Sequence, residues 1–185
     1  MVASLGGRDA PHRPVLLRQT IELLEAAHGG LYIDGTLGLG GHSEAILEAS
    51  GDCRVIGIDR DTEALKLASE RLARFGDRFQ AVHGNFREIA QVVADVAKEA
   101  PSGVLVDLGV SSLQFDSPQR GFSFRFDAPL DMRLDASGSD ETAADLLQQL
   151  PEEEIARIIF NMVKSEGREG SLAGSSRGGK WASQY

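Results

Sequence analysis

The strongest constraint on this chain is an alternation. Between residues 30 and 110, four short apolar runs, "GLYIDG", "RVIGID", "FQAVHGN" and "GVLVDLGV", are separated by three stretches of helical character, "HSEAILEAS", "DTEALKLASERLARFG" and "FREIAQVVADVAKEA". Such a β-α-β-α-β-α-β order with short connections points to a parallel sheet with helices on both faces. "RVIGID" is continuously apolar, as a strand covered on both sides has to be. In the second helical stretch Leu65, Ala68, Leu72 and Phe75 line one face, Asp61 or Thr62 can cap the start, and Gly76 ends it. Pro101 closes the third. Ahead of the sheet, "PVLLRQTIELLEAA" reads as a short amphipathic helix with an apolar stripe of Val15, Leu16, Ile21, Leu23 and Leu24.

The character changes after Val110. The stretch from Ser111 to Asp140 is long, mixed in charge and without clear periodicity. A loop of that length inside a domain is usually functional or disordered, and Phe122, Phe124 and Phe126 argue against plain disorder. "ETAADLLQQL" and "PEEEIARIIF" then read as two helices, the second with Pro151 at its first position. From Asn161 to Tyr185 glycine and serine dominate and no apolar stripe can be drawn, so a disordered or poorly packed tail is expected.

Composition narrows the function classes. A net charge of -9 counts against a nucleic-acid binder unless basic residues are focused locally. Cys53 is the one cysteine, so no disulfide forms within the chain, and four scattered histidines make no zinc pattern; no metal is expected. No signal peptide is recognisable, and no apolar run nears the ~20 residues that span a bilayer. A soluble, cytoplasmic protein with no membrane partner is the expectation.

The chemistry concentrates in "DGTLGLGGHS", residues 34–43, where four glycines in ten residues follow the first apolar run. In an open parallel sheet, ligands bind at the carboxyl ends of the strands. Three loops leave such ends here: this one, one carrying Asp59 and one carrying Asn85-Phe86. A dinucleotide fingerprint is broken at Ser43, and the lysine of a P-loop is missing. The loop is therefore either a bare strand-to-helix turn or the cradle of something other than a pyrophosphate. Asp59, roughly 20 residues on, can accept hydrogen bonds from both hydroxyls of a ribose, or else cap the helix next to Asp61. Asp34 adds a carboxylate near the loop, which suits a cationic ligand better than a phosphate. A nucleoside with a positive centre fits these residues: S-adenosylmethionine, whose amino acid end the glycine backbone, Gly38 and Gly40 included, can approach closely. Phe86 can stack on the adenine, or be an ordinary core residue. Asp107, ending the fourth strand, can meet the cofactor's amino group or the substrate, or cap the next turn.

At this point a resemblance enters. "HRPVLLRQTIELL", "YIDGTLGLGGHSEAIL", "GIDRD", "HGNF", "VLVDLGVSSLQFDSPQRGFSFRFDAPLDMRLD" and "PEEEIARIIF" together resemble the bacterial ribosomal RNA small-subunit methyltransferase H family, also called MraW. The resemblance runs from about His12 to Phe160 and is most specific over Asp107–Asp135. It implies a Rossmann-like class I methyltransferase sheet, with a S-adenosylmethionine-binding domain over 1–110 and the start of a helical substrate-recognition insert over 111–160. The last strands of the sheet are expected to be missing. It implies methylation of the exocyclic amino group of a cytidine in the 16S ribosomal RNA of the small subunit. It implies that Gly40, Gly41, His42, Asp59, Phe86, Asp107 and Gln114 bind the cofactor; His42 and Gln114 follow from the resemblance alone. Gln19 stands where the family usually carries Glu. Residues 161–185 match nothing in the family, which continues for over a hundred residues more. A frameshift is one origin: a coding string for "NMVKSEG", shifted by one base, can read Tyr-Gly-Glu-Glu-Arg, which family members often carry there.

The exocyclic amine of cytosine is a poor nucleophile because its lone pair is delocalised into the ring. Asp107 is the nearest catalytic candidate by topology, and Arg120, Arg125 and Arg133 can hold phosphates beside stacking surfaces at Phe122 and Phe124. Pairing of those arginines with Asp127, Asp131 and Asp135 in a folded loop is the alternative. Two other functions stay open: a fragment that binds cofactor without catalysing, and a nicotinamide-dependent oxidoreductase, which Ser43 and "DLGVSS" disfavour.

Overall fold

Five strands form one sheet in the computed structural model, which describes residues 14–97, 99–166 and 180–184. They are β1 Gly30–Asp34, β2 Cys53–Asp59, β3 Phe79–His83, β4 Gly103–Asp107 and β5 Lys180–Gln184, in the order β3-β2-β1-β4-β5, with every neighbouring pair parallel. The chain steps outward from β1 to β3 and then crosses to the other side of β1 as β4. The order therefore reverses between β1 and β4, and in such Rossmann-like sheets that switch opens a crevice at the strands' carboxyl ends.

The alternation of side chains along each strand builds two cores. Tyr32 and Val55 pack with Ile46 and Leu47 of α2 (Gly41–Ala49) and with Leu65, Ala68 and Leu72 of α3 (Thr62–Leu72). Leu31, Ile33, Ile56 and Ile58 face the other way, against Ile89, Val92, Val93 and Val96 of α4 (Ile89–Val96). Asp61 caps α3, its Oδ1 accepting from the Glu63 and Ala64 amides at 3.0 and 3.3 Å. The expected face of α3 is buried at Leu65, Ala68 and Leu72, while Phe75 is half-buried just past its end. Arg71 and Arg74 of this region pair with Glu44 of α2, tying the two helices.

Three expectations change. The first helix, α1, spans only Leu17–Leu23, because Leu16 takes a left-handed φ of 51° ahead of it. Its inward face is Leu17, Thr20 and Ile21 with Leu24 beyond, while Val15, Leu16 and Leu23 are exposed. A polar residue sits in that stripe because the Thr20 hydroxyl donates back to the Leu16 carbonyl at 3.2 Å. The third helical stretch begins as a 3-10 turn, Phe86–Glu88, capped by Asn85, and α4 stops at Val96, short of Pro101. The tail expected to lack structure from residue 161 differs at two places. The helix α7 runs from Glu152 to Glu166, and Lys180–Gln184 pair with β4 as β5. An open strand edge offers its backbone groups to any extended segment, so this pairing needs no apolar periodicity. The expected tail's residues 167–179 and 185 lie outside the described residues.

The chain divides into two compact units, one holding the sheet and the described residues up to Ser112, the other the described residues from Leu113 onward to 166. The helix α5 (Ser112–Asp116) begins at the last residue of that first stretch, and the second unit continues from Leu113 through a folded loop to α6 (Ala143–Gln149) and α7. Thr142 caps α6 by accepting from the Asp145 amide at 3.1 Å, and Pro151 precedes α7, its carbonyl accepting from the Glu154 and Ile155 amides. Among the described residues no helix is long and apolar enough to cross a membrane.

Candidate functional site

The glycine loop after β1 is bonded to the ends of two neighbouring strands. The Gly35 amide donates to the Leu105 carbonyl of β4 at 2.8 Å, and the Leu37 amide to the Ile58 carbonyl of β2 at 3.0 Å. The Leu37 side chain is buried over Gly57, where an added Cβ would stand 2.6 Å from Leu37 Cδ1. Gly38 and Gly40 have φ of +51° and +77°, a region glycine enters without steric cost. Gly40 is the residue at which the loop becomes α2.

Asp34 does not serve as the open carboxylate that the sequence suggests for a cationic ligand. It is buried; its Oδ2 accepts from the Ser43 hydroxyl at 2.7 Å and its Oδ1 from the Thr36 amide at 3.2 Å. Burial pushes its carboxyl pKa up. Asp34 thus braces both ends of the glycine loop, and Ser43, which breaks the dinucleotide fingerprint, is its partner.

Asp59 is turned toward the loop. Its Oδ2 accepts from the Gly38 amide at 2.7 Å and its Oδ1 from the Asp61 amide at 2.9 Å. The helix cap is Asp61, so the two carboxylates have separate tasks. The Gly84 amide donates to the Asp59 carbonyl at 3.0 Å, which brings the loop after β3 to the same edge. Phe86 opens that loop's 3-10 turn with 36% of its surface exposed, and its Cβ packs over Gly35, where an added Cβ would be 3.2 Å away. Asp107, exposed at the end of β4, donates its amide to Thr36 Oγ1 at 2.7 Å. Gly41 starts α2 with the Pro14 ring against the side where a Cβ would stand. His42 is buried, with Nε2 3.1 Å from the Val15 carbonyl; a carbonyl only accepts, so Nε2 carries the proton.

The glycine loop, Asp59, Phe86 and Asp107 therefore meet along one edge of the sheet. Gln114 belongs to the second unit, where it is buried and its Nε2 donates to the Leu134 carbonyl at 3.4 Å. Sequence reasoning missed Thr36 and the Gly38 amide as the contacts that fix Asp107 and Asp59; a hydroxyl between two strand ends leaves no pattern to find.

The residues at this edge fit a sulfonium nucleoside. A carboxylate oxygen has two lone pairs, and among the described residues Gly38 and Asp61 occupy one on each Asp59 oxygen. A second lone pair on each oxygen could accept from the two vicinal hydroxyls of a ribose. Phe86 offers an apolar ring to a base, and Asp107 a carboxylate to an ammonium group.

In the second unit Arg133 pairs with an aspartate that the folded-loop alternative names. Arg133 grips Asp131 through Nε and Nη2, both at 2.8 Å, and donates to the Gly138 carbonyl at 2.9 Å. Those hydrogen bonds hold the Asp131 carboxyl at about 2. Buried Arg120 donates to the Arg133 and Leu134 carbonyls at 3.1 and 2.8 Å. Arg125 lies over the Phe115 ring at 5.1 Å and 3.7 Å from Asp116 rather than beside Asp127. Phe124 is fully exposed and Phe122 half-buried.

A family model described as the MraW methylase family matches residues 9–168. Among curated relatives, "Ribosomal RNA small subunit methyltransferase H" of Carboxydothermus hydrogenoformans is 54% identical over 80% of this chain and 47% of its own length. The protein of that name from Geobacter sulfurreducens is 52% identical over 80% of this chain and 48% of its own. That of Pseudarthrobacter chlorophenolicus is 48% identical over 91% of this chain and 54% of its own. The chain spans about half the length of the curated relatives it matches.

Proposed function

The chain belongs to the MraW methylase family, and from that membership we propose that it carries the cofactor-binding part of an enzyme that methylates the exocyclic amine of a cytidine in small-subunit 16S ribosomal RNA. The methyl donor is S-adenosylmethionine. The observation that carries this reading is the Asp59 carboxylate, latched to the Gly38 amide at 2.7 Å, with a second lone pair on each oxygen that could accept from a ribose.

When bound, the cofactor supplies an electrophilic methyl group on its sulfonium. The chain's own residues do the rest. Main chain at Gly40, Gly41 and His42 would lie along its amino acid end, Asp59 would take the ribose and Phe86 would face the adenine; Gln114 is a cofactor residue by the family resemblance alone. Asp107 would serve at this edge either by accepting a hydrogen bond from the cofactor's α-ammonium or by taking up the proton that the cytidine nitrogen loses as the methyl moves to it and the sulfonium is left as a thioether. Positioning the amine for in-line displacement supplies ~7–11 kcal/mol of the barrier, which a delocalised lone pair makes necessary. The cytidine has to leave its stack to reach such a site.

Titration calorimetry with S-adenosylmethionine and with NAD tests the cofactor class: only the first should bind. Asp59→Ala should weaken it about tenfold to a hundredfold, since hydrogen bonds to a charged acceptor are worth about 1.5–3 kcal/mol. Transfer of tritiated methyl to small subunits lacking the modification tests the activity. Binding without transfer would favour the second reading, a chain that holds cofactor and does not catalyse. Binding of NAD alone would end the proposal.

A further inference from the structure

We infer that Thr36 is a positioning residue: its side-chain oxygen holds the end of β4 so that Asp107 stands beside the glycine loop. This rests on the cofactor reading above and assigns a role to a side chain outside the set Gly40, Gly41, His42, Asp59, Phe86, Asp107 and Gln114.

The last register pair between β1 and β4 is Asp34 with Leu105. Beyond it the strands are tied by two further bonds, from the Gly35 amide to the Leu105 carbonyl at 2.8 Å and from the Asp107 amide to Thr36 Oγ1 at 2.7 Å. The second is made by a side chain standing in for a strand. After Asp107 the chain has little to steady it: Leu108, Gly109 and Val110 are exposed, and Gly109 has a φ of +146°. The direction of the Asp107 carboxylate follows from its own backbone, and that backbone is fixed on the β1 side by the Thr36 oxygen.

Thr36 is itself held from beneath. Its amide donates to Asp34 Oδ1 at 3.2 Å, and Asp34 Oδ2 takes the Ser43 hydroxyl at 2.7 Å. A buried carboxylate thus fixes the loop, the loop fixes the hydroxyl, and the hydroxyl fixes Asp107. Asp59 is set by the same loop through Gly38 at 2.7 Å, so one loop registers both acidic residues against each other. A valine fills the same volume as threonine but offers no acceptor, whereas a serine keeps the oxygen.

A double-mutant cycle on the whole chain, read as the dissociation constant for S-adenosylmethionine by calorimetry, tests this. Thr36→Val should weaken binding about tenfold and Thr36→Ser less than about threefold. In an Asp107→Ala background, Thr36→Val should cost less than about twofold, because a residue acting through Asp107 has nothing left to position. The same tenfold loss in that background would overturn the inference, since the hydroxyl would then act on the fold or on the cofactor directly. Unchanged binding by Thr36→Val would overturn it too and leave the cofactor reading standing. Failure of the unmodified chain to bind S-adenosylmethionine would take down both.

Discussion

Asp34 is a buried carboxyl at the carboxyl end of β1. Its position at the end of the first apolar run marks it as a site carboxylate. Its burial and its two internal hydrogen bonds make it a brace. Burial raises its pKa above the ordinary value in the unfolded chain, about 3.9. The unfolded state therefore gives up this proton first. The stability it contributes is full below that pH and is lost as pH rises through the folded value. Asp34→Asn cannot ionise, so its stability relative to the parent should improve between about pH 4 and pH 7, measured as urea midpoints. An equal difference at both ends of that range would contradict the buried, hard-to-ionise carboxylate described above. Asp59 is the contrary case: both the strand it ends and its distance from the loop were readable, and the Gly38 contact agrees with them.

At the scale of elements, the sheet was readable because four short apolar runs alternate with three helical stretches, and the continuously apolar "RVIGID" needs cover on two faces, which a parallel layer between helices provides. What escaped the sequence is where a hydrogen bond replaces an apolar contact. The phase of α1 shifted because Thr20 hides its hydroxyl on Leu16, and β5 escaped because backbone pairing requires no side-chain pattern. The loop of the second unit is a third instance. Its arginines looked open to phosphates, yet Arg133 is fixed on Asp131 and buried Arg120 on carbonyls. The Asp131 carboxyl, held at about 2 by Arg133, contributes stability above its unfolded pKa of about 3.9 and loses it as pH falls through about 2. Arg133→Ala should therefore lower the stability of this unit near neutral pH, and the deficit should shrink as pH falls through that window. Acid titration of the two proteins followed by circular dichroism checks it; a deficit that persists at the acid end would assign the loss to packing instead.

For the molecule as a whole, charge sets the terms of any encounter with RNA. The chain carries -9, and two of the three arginines that the sequence offers for phosphates are engaged within their own loop. Affinity of this chain alone for a small-subunit RNA fragment should thus change by less than about tenfold between 50 and 200 mM salt, as expected when only one or two phosphates are neutralised. Filter binding at several salt concentrations measures this, and a steeper dependence would reveal a basic surface that the described residues do not display. The pairing of β4 with β5 has a further consequence, one of timing. Residues 108–179 separate the two strands, and translation proceeds at ~5–20 residues per second. On the ribosome, β1 to β4 can assemble several seconds before Lys180 has been synthesised. Throughout that interval a nascent chain offers the β4 flank, with its unpaired backbone groups, to whatever extended peptide drifts past.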